Sequence, residues 1–181
     1  MTRHALIPHD QEGVAHAKIV ARAELGDDAQ LQLEWSLTGN VEELKIPRRS
    51  ASRRAERLWE HTCFEAFVAP ASGSRYYELN FAPSTRWAAY AFDGYRQGMR
   101  PLELDVPPSV KVVTAANELR VTAGIELGSL ADAPWPWRIG LTAVVEDRAG
   151  GRAYYALLHP RDKPDFHDAA AFTVILDRSA R

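Results

Sequence analysis

Apolar side chains recur at every second position along most of this chain, and that period limits the fold more than any other feature. In QLQLEWSL (30–37), Leu31, Leu33, Trp35 and Leu37 alternate with Gln30, Gln32, Glu34 and Ser36. ELRVTAGIEL (118–127) repeats the pattern with Leu119, Val121, Ala123, Ile125 and Leu127, and WRIGLTAVVED (137–147) with Ile139, Leu141, Ala143 and Val145. Successive side chains of a strand point to opposite faces, so each run describes a half-buried antiparallel strand. Helical periodicity is missing; only RRSASRRAERL (48–58) has room for a helical turn or two. Turn-forming clusters separate the runs at short intervals: LGDD, LTGN, ASGS, APST, AANE and RAGG. With 181 residues, no internal repeat and no linker, the chain reads as one all-β domain over residues 1–181. The expected architecture is a two-sheet antiparallel β-sandwich.

Composition narrows the range of partners. A formal net charge of −2 gives no basic excess for nucleic acid. The one basic run, RRSASRRAER (48–57), reads as a solvated loop. A single cysteine, Cys63, excludes an internal disulfide framework and multi-cysteine zinc sites. No stretch approaches the ~18 apolar residues of a spanning helix, and MTRHALIPHDQEGVAH (1–16) lacks the apolar centre of a secretion leader. The expectation is a soluble cytoplasmic protein, with no membrane and no nucleic acid among its partners; oligomeric state stays open.

Three hairpins fix an expected register, because antiparallel partners share a face. A turn at PASGSR (70–75) pairs Phe64 with Phe81, Ala66 with Leu79 and Val68 with Tyr77 in the core, and Glu65 with Asn80 and Phe67 with Glu78 on the opposite face. A turn at PSTR (83–86) pairs Phe81 with Ala88, Leu79 with Tyr90 and Tyr77 with Phe92 in the core. Trp87, Ala89 and Ala91 then join the polar face. A turn at DRAGGR (147–152) pairs Val145 with Tyr154 and Ala143 with Ala156 in the core, leaving a second face apolar enough to need a cover.

The non-core face of the first two hairpins carries Trp59, His61, Cys63, Glu65, Phe67, Glu78, Asn80, Trp87, Ala89 and Ala91. Aromatic surface beside a few convergent acceptors and donors is what a small-molecule site needs. A sugar suits it: its C–H faces stack on indole, and its hydroxyls bond to carboxylate and amide. Glu65 and Glu78 could alternatively act as the paired carboxylates of a glycosidase. A second constellation, HPRDKPDFHDAAAF (159–172), gathers His159, Asp162, Asp165, His167 and Asp168. Its spacing matches no helical zinc motif, and it lacks the glycine of an Asp-rich calcium loop. It reads as a hydrogen-bonded loop, with ligand gripping as the second reading. Ser84 lies in a turn without a nucleophile elbow.

Three blocks resemble a known family: LWEHTCFEAFV (58–68), YYELNFAPSTRWAAYAFDGYRQGMR (76–100) and LHPRDKPDFHDAAAF (158–172). In order, and over most of the chain, they resemble bacterial DOMON-like proteins, which are similar to family 9 carbohydrate-binding modules. The resemblance implies an immunoglobulin-like or jelly-roll sandwich whose relatives bind sugars or haem without catalysis. It implies Glu65 as the acidic strand element, and Trp59 and Trp87 as counterparts of sugar-stacking tryptophans. Haem-binding relatives use an axial Met and His; here the pair would be Met99 with His61, His159 or His167. The expected function is non-catalytic binding of a small polar ligand, a carbohydrate, by Trp59, His61, Glu65, Glu78, Asn80, Trp87, His159 and His167. No cofactor is required; haem, a structural calcium, and hydrolysis of a glycan or ester are the alternatives.

Overall fold

The structure is a computed structural model that describes residues 2–9, 17–26, 30–126, 128, 130 and 133–178. Leu127, and Asp27 and Asp28 of the LGDD turn, lie outside the described residues. The strands are β1 (His4–Pro8), β2 (Lys18–Leu25), β3 (Gln30–Thr38), β4 (Cys63–Ala69), β5 (Tyr76–Phe81), β6 (Trp87–Phe92), β7 (Arg100–Pro101), β8 (Ser109–Thr114), β9 (Glu118–Glu126), β10 (Trp137–Glu146), β11 (Arg152–Ala156) and β12 (Val174–Leu176). Every ladder between them is antiparallel. No described helix is long and apolar enough to cross a membrane. RRSASRRAERL contributes only the start of a short 3-10 turn, Leu58–Glu60.

The strands form one ribbon in the order β8-β9-β3-β2-β1-β11-β10-β4-β5-β6-β7, with β12 beside β10. The ribbon folds back at β1, whose His4–Leu6 pair with β2 while Ile7 and Pro8 pair with β11. The result is a two-layer antiparallel sandwich. Trp35 of β3 closes the layers together, with ring centroids 5.9 Å from Phe64 and 6.0 Å from Phe81. Around it lie Leu31, Leu33 and Leu37, the apolar members of β9, and Ile139, Leu141, Ala143 and Val145 of β10, all buried. The period-two alternation therefore assigned the inner faces of β3, β9 and β10 correctly.

The β4–β5 register is the expected one: Phe64 opposite Phe81, Glu65 opposite Asn80, Ala66 opposite Leu79, Phe67 opposite Glu78. The next hairpin is displaced by one residue. Phe81 pairs with Trp87, Leu79 with Ala89 and Glu78 with Tyr90. The cause is the turn. Ala82 and Arg86 close it, leaving three residues in the loop, and Thr85 takes a left-handed φ of 71°. A type I turn followed by a left-handed residue is the usual three-residue hairpin loop, whereas the expected register placed the turn at 83–86. A one-residue shift in register moves every side chain of β6 to the other face. Trp87 and Ala89 therefore point into the core, correcting their assignment to the ligand face, and Ala88, Tyr90 and Phe92 take their place outside.

The β10–β11 hairpin repeats the correction. Asp147 and Gly151 close a three-residue loop with Gly150 at a φ of 92°, so Ala143 pairs with Tyr155 and Val144 with Tyr154. Ala153 and Tyr155 enter the core, while Tyr154 and Ala156 face outward. Most of the basic run is an exposed loop, as expected, with Arg54 an exception. Arg54 lies along β6, donating to the carbonyls of Ala89 at 3.1 Å and Leu102 at 2.6 Å, with its guanidinium 4.8 Å from the Trp87 ring.

The apolar outer face of the β4–β5–β6–β10–β11 layer does have a cover. Phe166, Ala171 and Phe172 of the C-terminal segment pack onto Phe67, Tyr76, Phe92 and Val144, and Leu58 and Trp59 close in beside them. Phe67 stacks on Phe172 at 5.6 Å. This is a second, smaller apolar cluster, outside the sandwich core.

Candidate functional site

Between that cover and the sheet is a cleft of about 530 Å³. Its floor comes from alternate residues of four strands: Glu65 of β4, Glu78 of β5, Phe92 of β6 and Val144 of β10, with Arg152 and Tyr154 of β11 at the side. Trp59 and Glu60 of the 3-10 turn form one wall. Arg96 and Met99 from the β6–β7 connection and Pro164, Phe166 and His167 from the C-terminal segment form the rest. Trp59 is held edge-on against Tyr90 at 5.7 Å.

The polar residues of the floor are buried. Glu65 is 2% exposed, Glu78 4% and Asn80 not at all. Asn80 donates its amide N–H to Glu78 Oε1 at 2.7 Å, and the Thr142 hydroxyl donates to Glu65 Oε2 at 3.3 Å. Two acceptors, Glu65 Oε1 and Asn80 Oδ1, are buried and meet no donor among the described residues. Buried polar atoms are nearly always satisfied; the other such atoms among the described residues, on Trp35, Arg86 and Trp87, are donors that do not line the cleft. Burial pushes the Glu65 carboxyl well above the usual carboxylate range, and the neighbouring Glu78 adds to the effect; the Thr142 bond opposes it. Burial likewise raises Glu78 to about 7, against the Asn80 bond and the Arg96 charge. Desolvation disfavours the charged form, and two nearby carboxylates disfavour each other.

His167 is the cleft's hinge to the cover. Its ring lies 5.2 Å from Phe67, 5.9 Å from Tyr76 and 5.1 Å from Phe92. Burial, then Arg96, lowers its pKa to about 4, so it is neutral near pH 7. The Tyr76 hydroxyl accepts the Arg96 backbone N–H at 3.2 Å and lies 2.7 Å from His167 Nδ1. The other ring nitrogen, Nε2, lies 3.9 Å from Glu78 Oε2. Asp165 anchors the segment by accepting from Tyr95 at 2.5 Å and Arg96 at 2.9 Å, with Arg161 at 3.3 Å. Arg161 also donates to Asp168 at 2.7 Å. The histidine–aspartate stretch is thus a cross-braced loop, and no group of three or more described His, Cys, Asp and Glu side chains converges to hold a metal.

Of the residues singled out in the sequence, Trp59, Glu65, Glu78 and His167 come together around the cleft, with Asn80 buried among the floor residues. Trp87 lies in the core. His61 is drawn away to Glu146, Nδ1 to Oε2 at 2.7 Å, beside Lys45. His159 meets the Ile7 carbonyl at 2.9 Å and the edge of His9. Neither lines the cleft. Met99 and His167 do share it, but a porphyrin does not fit at His167: Nε2 faces a carboxylate 3.9 Å away, too close to admit the macrocycle. Phe92 and Tyr154 were missed because the register slips hid their face. Arg96 sits in a turn that carries no periodic signal.

No family model matches the chain, and no curated protein matches it. Solved structures do. A proposed carbohydrate-binding protein from Bacteroides uniformis ATCC 8492 superposes with a TM-score of 0.71 over 98% of this chain and 87% of its own, at 13% identity. A family 9 carbohydrate-binding module from Caldicellulosiruptor kristjanssonii is similar in its complex with cellotriose (TM-score 0.55, 12% identity, 99% of this chain and 86% of that one). In its complex with glucose the values are 0.52, 11%, 91% and 78%. The chain therefore shares the β-sandwich fold of the family 9 modules.

Proposed function

We propose that the chain binds a small carbohydrate, without chemical conversion, in the cleft between the sheet and the C-terminal segment. One observation carries the reading: a cleft walled by aromatic rings has a buried polar floor in which Glu65 Oε1 meets no donor among the described residues. A sugar hydroxyl, able to donate or accept, would partner that oxygen in either protonation state, and the sugar's C–H faces would lie against Trp59, Tyr154 or Phe166. The cleft volume falls within the range of small-ligand sites, roughly 300–1,000 Å³. Structural likeness to a module solved with glucose and with cellotriose supports the same class of ligand.

The test is a screen of the purified chain against immobilised mono- and oligosaccharides, followed by calorimetric titration of the best binder and of the Trp59→Ala variant. Saturable binding that Trp59→Ala weakens about tenfold or more, with an unchanged melting curve, is the expected result. Recovery of the oligosaccharide intact separates binding from hydrolysis, and a Soret band in the visible spectrum would replace sugar by haem. Absence of binding to any sugar would overturn the proposal.

A further inference from the structure

We infer that the ligand carries a primary ammonium group, which seats on Glu65 and Glu78: among carbohydrates, an amino sugar. The inference rests on the carbohydrate reading and goes further by giving the floor a charge preference. A primary ammonium has three donors and no acceptor. The floor has the converse imbalance. Among the described residues Glu65 Oε1, at the cleft floor, has no donor, and Glu78 Oε2 meets only His167 Nε2, 3.9 Å away; Asn80 Oδ1, buried beneath them, is likewise without a donor. The residues concerned are under 5% exposed and adjacent in two paired strands.

Neutral hydroxyls could fill the same acceptors, so charge must decide. Two carboxyls share this floor, and the nearest cation, Arg96, is bound to Asp165 at 2.9 Å. Arg152 stands exposed at the side of the cleft, where water and salt screen it. A charge on the buried floor interacts several times more strongly than one in water. The walls add to the preference, since Trp59, Phe92, Tyr154 and Phe166 present ring surface to the cleft, and aromatic faces attract ammonium groups. A metal ion would need convergent ligands that the described residues lack.

Seating an ammonium requires the floor to give up protons. Burial raises Glu78 to about 7 and holds Glu65 well above the usual carboxylate range. The other groups facing them keep their state around that pH. Tyr76, Tyr90 and Cys63 are raised and stay protonated, His167 is neutral, and Arg96 and Asp165 stay charged. Amine binding should therefore release protons and tighten as pH rises toward about 7. Neutral sugars should do neither.

The experiment titrates the intact chain with glucosamine, galactosamine and mannosamine, each beside its neutral parent and its N-acetyl derivative. Buffers of different ionisation enthalpy count the protons released, and cyclohexylamine serves as an ammonium that is not a sugar. The expected result is about tenfold or greater preference for the amine in at least one sugar series. Proton release should accompany it, and both should be lost in Glu65→Gln and in Glu78→Gln with melting retained. Sugars bound without amine preference, or an amine preference without proton release, would overturn the inference and leave the carbohydrate reading standing. Cyclohexylamine bound and sugars ignored would keep the ammonium seat and overturn the sugar. Binding of neither would overturn both.

Discussion

Asn80 stands directly opposite Glu65 in the β4–β5 ladder, yet its amide nitrogen turns along its own strand to Glu78 Oε1, 2.7 Å away. Glu65 takes its one donor from Thr142, on the strand at its other side. The two carboxyls are thus held apart in their hydrogen bonding but share one desolvated floor, and both favour the protonated form.

That preference sets the sign of a stability effect. Glu78 is raised from 4.5 to about 7, so its contribution is complete below 4.5 and is lost as pH rises through about 7. Glu65 acts in the same direction. Between pH 4.5 and 7, wild type should lose on the order of 3 kcal/mol of stability relative to Glu78→Gln. Urea denaturation of both proteins at stepped pH measures it. Parallel pH profiles would show that Glu78 is not buried with its proton.

His167 has the opposite sign. Its value falls from 6.5 to about 4, so the stability it contributes is complete above 6.5 and is lost as pH drops through about 4. His167→Gln should remove this opposing slope, and the variant should lose stability with rising pH more steeply than wild type does. The same urea series checks it, and a shallower decline in the variant would contradict the neutral assignment.

Trp87→Ala should cost about 3–5 kcal/mol, because the side chain is part of the sandwich core and supports Arg54. Had Trp87 lain on the ligand face, as its sequence position suggested, removal would have been nearly silent for folding. Chemical denaturation separates the two cases.

Gly140→Ala should destabilise by about 1–3 kcal/mol. A methyl there would come within 2.5 Å of Phe172 Cδ1 and 3.4 Å of Phe67 Cβ, wedging the cover from the sheet. Melting temperature reads the cost, and faster proteolysis of the 158–173 segment should accompany it. A variant as stable as wild type would mean that Phe172 moves aside freely.

Chelation should leave the melting temperature of the intact chain unchanged. Asp165 and Asp168 are committed to Arg96 and Arg161, so they do not require an ion to offset their charge. A fall of several degrees that calcium or zinc restores would overturn this.

The period-two pattern determined by itself that the chain is an antiparallel sandwich, which faces of β3, β9 and β10 are buried, and that Glu65 faces Asn80. Those facts follow from side-chain alternation, which is local and leaves its mark in the sequence. The faces of β6 and β11 do not follow from it, because Trp87, Ala88, Ala89 and Tyr90 are all apolar and fit either side. Thr85 and Gly150 decided them, each closing a three-residue loop in a left-handed conformation, which shifts the register by one and reverses the faces of the strand that follows. The cleft needed a longer-range event still. Phe166, His167 and Phe172 fold back across the sheet that carries Glu65 and Glu78, and burial, which no pattern of residues records, raises the pKa of an otherwise ordinary pair of glutamates.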